Sequence, residues 1–326
     1  MFENIYIIEK MGIMHAEELR QKVEMKYQFD KVYINTREIH WIRRMIKLVK
    51  KYFQPEETKK MFPIIMIILI SMSLIPFAGK IHMQYMEERE RKLLRSLSAD
   101  ISHKIYREEQ IIGLPAPVQR YFRNVLTDGQ PYISTTYLKH DGRFKTALDK
   151  EWINIEGEQY FTCEDPGFLW NGKTSLYAVQ DMYIAGRGQI KVFLFNIFKV
   201  VDGNGPEYDQ GELLRWLGES VWFPTNLLPS SRLQWTEIDE DRAKLSFTYK
   251  NQKLSYKVSF NATGEITELE TQRFMGEEKI ETWIGRVGSY QEINHMKIPM
   301  RIEAFWKLPD GEHSYAQFTV REVHYQ

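Results

Sequence analysis

Hydrophobic and polar positions divide this chain into three textures. From Met61 to Gly79 nineteen consecutive residues (MFPIIMIILISMSLIPFAG) carry no charge, bracketed by Lys59–Lys60 and Lys80. A helix rises about 1.5 Å per residue, so the run spans roughly 28 Å, close to the roughly 30 Å of a bilayer's hydrocarbon core. It predicts one transmembrane helix, because a single segment satisfies its own amides in lipid only as a helix. Pro63 falls in its first turn, where a missing N–H costs little, and Pro76 falls near its end. A buried core helix rarely runs so long without charge, and a cleaved signal peptide does not begin some sixty residues into a chain.

Before this run the pattern is helical. Residues 1–38 hold a helix-like stretch (MHAEELRQKVEMKYQF) of unassigned role. In Ile39–Phe53 (IHWIRRMIKLVKKYF), a rotation of 100° per residue gathers Arg43, Arg44, Lys47, Lys50 and Lys51 into an arc of about 120°. Trp41, Ile42, Met45, Ile46, Val49, Tyr52 and Phe53 face the other way. Such a basic amphipathic helix either lies on an anionic leaflet or packs within the arm. After the run, Met83 to about Ile111 reads as one charged, solvated helix, stopped by Gly113-Leu-Pro115-Ala-Pro117. Pro117 then opens a short helix, Val118–Leu126.

From Pro131 onward the period changes to two. Lys244–Lys250 (KLSFTYK), Leu254–Phe260 (LSYKVSF) and Glu303–Lys307 (EAFWK) alternate between apolar and polar positions. Turn signals recur at Asp141-Gly142, Asp165-Pro-Gly167, Asn171-Gly172, Gly186-Arg-Gly188, Asp202-Gly-Asn-Gly205, Thr263-Gly264 and Asp310-Gly311. The prediction is a mainly β fold with some helix, a large antiparallel sheet with one apolar face. Ile190–Val201, apolar nearly throughout, reads as a central strand, with a helix as the alternative. Helix returns once, at Gly211–Trp222 (GELLRWLGESVW), before a loop at 224–231. Four parts follow: an N-terminal arm (1–60), the span (61–79), a helical connector (80–112) and a β domain (113–326).

Composition narrows the chemistry. The 44 basic and 44 acidic residues balance, which gives no electrostatic footprint for nucleic acid. One cysteine, Cys163, excludes an intrachain disulfide and reads as a small buried strand residue. Seven of eight tryptophans lie after residue 150, enough to line a core or an apolar pocket. Basic residues flank the run on both sides, with a slight excess before it that places the N-terminus in the cytoplasm and the β domain outside.

Leu114-Pro-Ala-Pro-Val-Gln-Arg-Tyr121, Leu138-Lys-His-Asp-Gly142, Gly186-Arg-Gly188, Gly205-Pro-Glu207, Gly211-Glu-Leu-Leu-Arg-Trp216, Glu219-Ser-Val-Trp-Phe-Pro224, Leu227-Leu-Pro229 and Trp235 occur in that order. With them the chain resembles, over about residues 110–325, a bacterial family of uncharacterised membrane-associated proteins. The resemblance implies a curved antiparallel sheet, similar to the half-barrels of periplasmic lipoprotein carriers, with a helix on its concave side. It implies no catalytic residues. The long arm before the span departs from the family's usual pattern.

The residues themselves offer few constellations. His140 and Asp141 are adjacent, so on a strand they point to opposite faces and form no dyad. Arg215 and Glu219, four apart on a helix, predict a same-face ion pair, structural unless the helix lines a groove. Arg215, Glu219, Trp222, His140 and Trp170 are the candidate ligand-binding residues. No HxxxH, HExxH or GxSxG pattern is present, so no metal, cofactor or catalytic residue is assigned. The expected function is a membrane-anchored extracytoplasmic module binding a lipid or other hydrophobic molecule. The alternatives are a hydrolase using Glu219 with His140, and an envelope-sensing interaction protein.

Overall fold

The computed structural model describes residues 55–276 and 279–326; before Ala78 it describes the side chains of Pro63, Ile64, Met66 and Ile67 alone. The helix-like stretch in 1–38 and the amphipathic helix at 39–53 lie outside the described residues.

Helix α1 (Pro55–Ser96) carries the charge-free run within its length. Among the described residues no helix is long and apolar enough to cross a membrane. The structure therefore does not support the expected crossing at 61–79, most of whose side chains lie outside the described residues. The connector also differs from expectation: α1 stops at Ser96 rather than running on to Ile111. Asp100 explains the stop, since its carboxylate accepts from the backbone N–H and the hydroxyl of Ser102, a local bond that competes with helix. A 3-10 turn at Glu108–Ile111 follows, then helix α2 (Ala116–Val125) with Pro117 in its first turn.

Thirteen strands make one antiparallel sheet. β1 (Thr135–Phe144), β2 (Ile153–Thr162), β3 (Gly167–Lys173), β4 (Tyr177–Ile184), β5 (Arg187–Leu194) and β6 (Phe198–Asn204) form one meander. Helix α3 (Pro206–Glu219) follows. The second meander comprises β7 (Leu233–Glu237), β8 (Arg242–Tyr249), β9 (Gln252–Phe260), β10 (Ile266–Phe274), β11 (Ile280–Ile293), β12 (Met296–Leu308) and β13 (Gly311–Tyr325). The two are joined where β1 pairs with β13, and β6 and β7 are the open edges.

Helix α3 reveals the curvature. It packs against β3–β6 on one arm and against β9 and β10 on the other. β3 and β10 stand six strand steps apart in the sheet order. In a flat sheet that is about 29 Å, more than twice a helix diameter. One helix touches both only because the sheet curls around it. Helix α2 lies over β8 and β12, burying Val118, Tyr121, Phe122 and Val125. The main core fills the space between these helices and the concave face. α1 covers the opposite face of β2–β5, through Leu94 on Leu169, Met182 and Ile184, and Met83 on Ala178 and Phe193. β3 and β4 are thus covered on both sides, which is why they are buried almost end to end.

Three of the expected turns fall on strands, Asp141-Gly142 in β1, Asn171-Gly172 in β3 and Asp202-Gly-Asn204 at the end of β6. Gly142 sits within β1 because a Cβ there would meet the Gln317 carbonyl oxygen at 2.0 Å. Gly172 sits within β3 because the Trp170 ring lies over it, 2.1 Å from where a Cβ would be. Ile190–Val201 is not one strand but the end of β5, a turn and the start of β6; Phe195 and Asn196 adopt positive φ (52° and 64°) to make it. Cys163 is buried but lies just beyond the end of β2, and burial pushes its thiol up.

Candidate functional site

In an antiparallel ladder, directly opposed residues point to the same face. The register of β1–β6 therefore places Leu138, Gln159, Trp170, Asp181, Ile190 and Gly203 in one row across the concave face. The neighbouring row begins His140, Gly157, Gly172, Val179. The two glycines leave a trough in which the rings of His140 and Trp170 lie: a Cβ at Gly157 would come within 2.3 Å of His140 Nε2.

Helix α3 lays a polar stripe onto these rows. Pro206 opens it, and Asp209 pins its first turn by accepting from the Gly188 backbone N–H (2.7 Å) and from Arg187 (3.0 Å). Glu212, Arg215 and Glu219 then recur at helical spacing along one side of it. Arg215 is 2% exposed and its guanidinium is the hub. Nε donates to Glu219 Oε1 at 2.9 Å, Nη1 to Asp181, and Nη2 to Gln159 Oε1 at 3.2 Å. Gln159 closes the ring by donating to Glu219 Oε2 at 2.6 Å. The guanidinium plane sits over Phe168 and Trp170, 4.7 and 5.3 Å from the ring centres. From the opposite arm, Arg273 of β10 reaches Glu212 at 3.6 Å, both fully buried. Burial, with the Asp181 carboxylate adding to it, pushes Glu212 up to about 7.

The structure brings four of the five sequence-predicted residues together. Arg215 pairs with Glu219 as the spacing predicted, Trp170 touches Arg215, and His140 touches Trp170. The indole N–H of Trp170 donates to His140 Nε2 at 2.7 Å. The bond occupies the imidazole's acceptor lone pair and places its proton on Nδ1. Burial, with Arg215 nearby, lowers His140 to about 3, so the ring is neutral. Asp141 points the other way and accepts from Arg321, so the adjacent residues form no dyad. Trp222 stands apart: its N–H donates to the Pro299 carbonyl at 2.9 Å and its ring packs on Phe161.

Asp181, Gln159, Glu212, Arg273 and Phe168 complete the site. One of them had a signal in the sequence: Asp181 is the single charged residue between Lys173 and Arg187, inside the apolar run Tyr177–Ile184.

Two open clefts mark the surface. One, of about 940 Å³, is lined by Arg143, Glu156, Arg301 and neighbours; the other, of about 930 Å³, lies between the end of α1 and β1–β2. Neither is lined by Arg215, Asp181, Glu219, His140 or Trp170. Among the described residues no group of three or more His, Cys, Asp or Glu could hold a metal ion.

The chain belongs to a family of unknown function (DUF6544), whose model matches residues 104–318. No curated protein matches it. Among solved structures it is similar to a LolA superfamily protein from Nitrosomonas europaea, at 12% identity and a TM-score of 0.36, covering 65% of this chain and 92% of that one. It is also similar to a putative outer membrane lipoprotein-sorting protein domain from Vibrio parahaemolyticus, at 10% identity and a TM-score of 0.34, covering 59% and 86%.

Proposed function

We propose that this chain is a membrane-anchored binding module that holds a lipid or another hydrophobic molecule against the concave face of its sheet. In this reading the run 61–79 is the anchor, the N-terminal arm is cytoplasmic and the β domain is extracytoplasmic. Helix α3 occupies the concavity and would be displaced by the bound molecule.

The observation that carries the reading is how α3 is held. Its surroundings are aromatic and aliphatic, yet its central attachment is the ring of Arg215, Asp181, Glu219 and Gln159. Replacing a buried ion pair by well-packed apolar side chains is often neutral or stabilising, so stability alone does not call for such a clasp. An ionic clasp fixes the register of the helix and gives it a release point, because another anion can take over the guanidinium. A lipid supplies that anion on its headgroup and apolar chains for the wall the helix vacates. The buried, bonded His140 offers no free base, which disfavours a hydrolase built on Glu219 and His140.

Native mass spectrometry of the full chain, purified from cells in mild detergent, tests the binding. A near-stoichiometric adduct of lipid mass is expected, and protein that is bare in every preparation would overturn it. Topology is tested by enzyme reporters fused at Gln326; activity confined to the cytoplasm would invert the orientation.

A further inference from the structure

Two hairpin tips stand side by side at one end of the sheet, 174–176 between β3 and β4 and 195–197 between β5 and β6. The Phe195 N–H donates to the Leu176 carbonyl at 3.0 Å and ties them together. On and beside them Leu176, Tyr177, Phe195, Phe198 and Val200 are 39–55% exposed. Contiguous exposed apolar surface of this kind marks an interaction site.

The turn is built at a cost. Phe195 has φ 52° and Asn196 φ 64°, backbone that suits Asn, Asp or Gly in a tight hairpin turn. A Phe with φ above zero is strained. Because half of the residue is exposed, packing does little to offset that strain.

The same tip rests on α1 at Gly79. A Cβ at Gly79 would lie 2.8 Å from both Ile197 Cγ1 and the Phe195 carbonyl oxygen, so glycine is what permits the contact. Gly79 is the last residue of the charge-free run, and the exposed Lys80 follows it. Earlier in the run Ile64, Met66 and Ile67 are also exposed.

We propose that these two tips form a membrane-contact surface, with Leu176, Tyr177, Phe195 and Phe198 seated in the headgroup boundary of the bilayer. The inference rests on the reading that 61–79 spans the membrane. Its own ground is position: the apolar patch sits at the level where the apolar run gives way to charge, continuous with the surface of the same helix. Lys173 precedes the first tip and Lys80 follows Gly79, cations that suit anionic headgroups, while Lys199 is paired with Asp202. Tyr177 at this level matches the interface's preference for Tyr and Trp, and the Phe and Leu side chains supply apolar area beside it. Seated this way, the β domain presents the β5–β6 edge, next to α3, to the lipid from which a ligand would come.

The test places environment-sensitive fluorophores on the full chain in vesicles of neutral and anionic phospholipid. Phe198→Cys reports the tip, Ile67→Cys the span, and Ala262→Cys the β9–β10 turn at the other ends of the strands; native Cys163 is buried. Quenching at 198 by brominated lipid, with shielding from aqueous iodide and the reverse at 262, is the expected result. Iodide access at 198 while 67 is quenched by lipid overturns the contact surface and leaves the span standing. Iodide access at 67 removes the span and the proposal together. Shielding of 198 from both quenchers, with concentration-dependent crosslinking, overturns the proposal in favour of a second copy of the chain. Phe195→Asn separates seating from folding: it should raise Tm by relieving the turn while increasing iodide access at 198.

Discussion

Trp170 and His140 face each other across Gly157, a residue with no side chain, and their rings lie almost parallel, 6° apart, joined by a 2.7 Å N–H···N bond. Trp170→Phe removes the donor and leaves a buried imidazole nitrogen without a partner. The expected loss is about 1–3 kcal/mol, the cost of one unsatisfied buried acceptor. Urea unfolding at neutral pH measures it, and a change under half a kcal/mol would show that the bond is dispensable.

Because His140 titrates near 3 in the fold and near 6.5 when unfolded, the unfolded chain binds more protons between those values. Its contribution is complete above pH 6.5 and is lost as pH falls toward 3, at up to about 1.4 kcal/mol per pH unit. Glu212 acts in the opposite sense: raised from 4.5 to about 7, it lowers stability as pH climbs through that window. Between pH 4.5 and 6.5 the two oppose each other. Stability against pH should therefore flatten or turn downward in His140→Gln and steepen upward in Glu212→Gln, as read from denaturation midpoints across the range.

Removing Arg215 takes away the cation that Asp181 and Glu219 share. Arg215→Ala is expected to cost about 3–5 kcal/mol. Arg215→Lys should recover only part, since a point charge cannot reach Asp181, Glu219 and Gln159 as a fork does. Thermal unfolding of the three proteins orders them, and an alanine variant equal to wild type would refute the clasp.

Gly157→Ala places a methyl group inside the imidazole ring's volume. Overpacking of this kind costs about 1–3 kcal/mol, with more where the ring cannot move. The loss should appear together with a weakened near-ultraviolet signal from Trp170, whereas Gly288→Ala, with nothing within 4 Å of its Cβ position, should change neither.

Much of the fold was legible in period-two runs and turn residues. Leu254–Phe260 alternates in the structure as in the sequence, and Asp310-Gly311 makes the hairpin it predicted. The misreadings share a cause. Gly142 and Gly172 resemble turn residues locally, but they are glycines because β13 and the Trp170 ring approach them from distant parts of the chain. The hairpin at Phe195-Asn196 was hidden because its turn carries an aromatic residue where Gly or Asp is usual. At the site, local spacing was enough for Arg215–Glu219, four residues apart. Asp181 is 34 residues from Arg215 and Arg273 lies 61 from Glu212, and only the curl of the sheet brings them together.

The pairing of β1 with β13 also sets an order of events. A chain made from its N-terminus completes β1–β6 early, but β1 keeps a bare hydrogen-bonding edge until the last strand has been synthesised, some 170 residues later. Closure of so long a loop is slow, and an unpaired edge is open to mispairing while it lasts. The final strand is thus the one that turns two separate meanders into a single sheet.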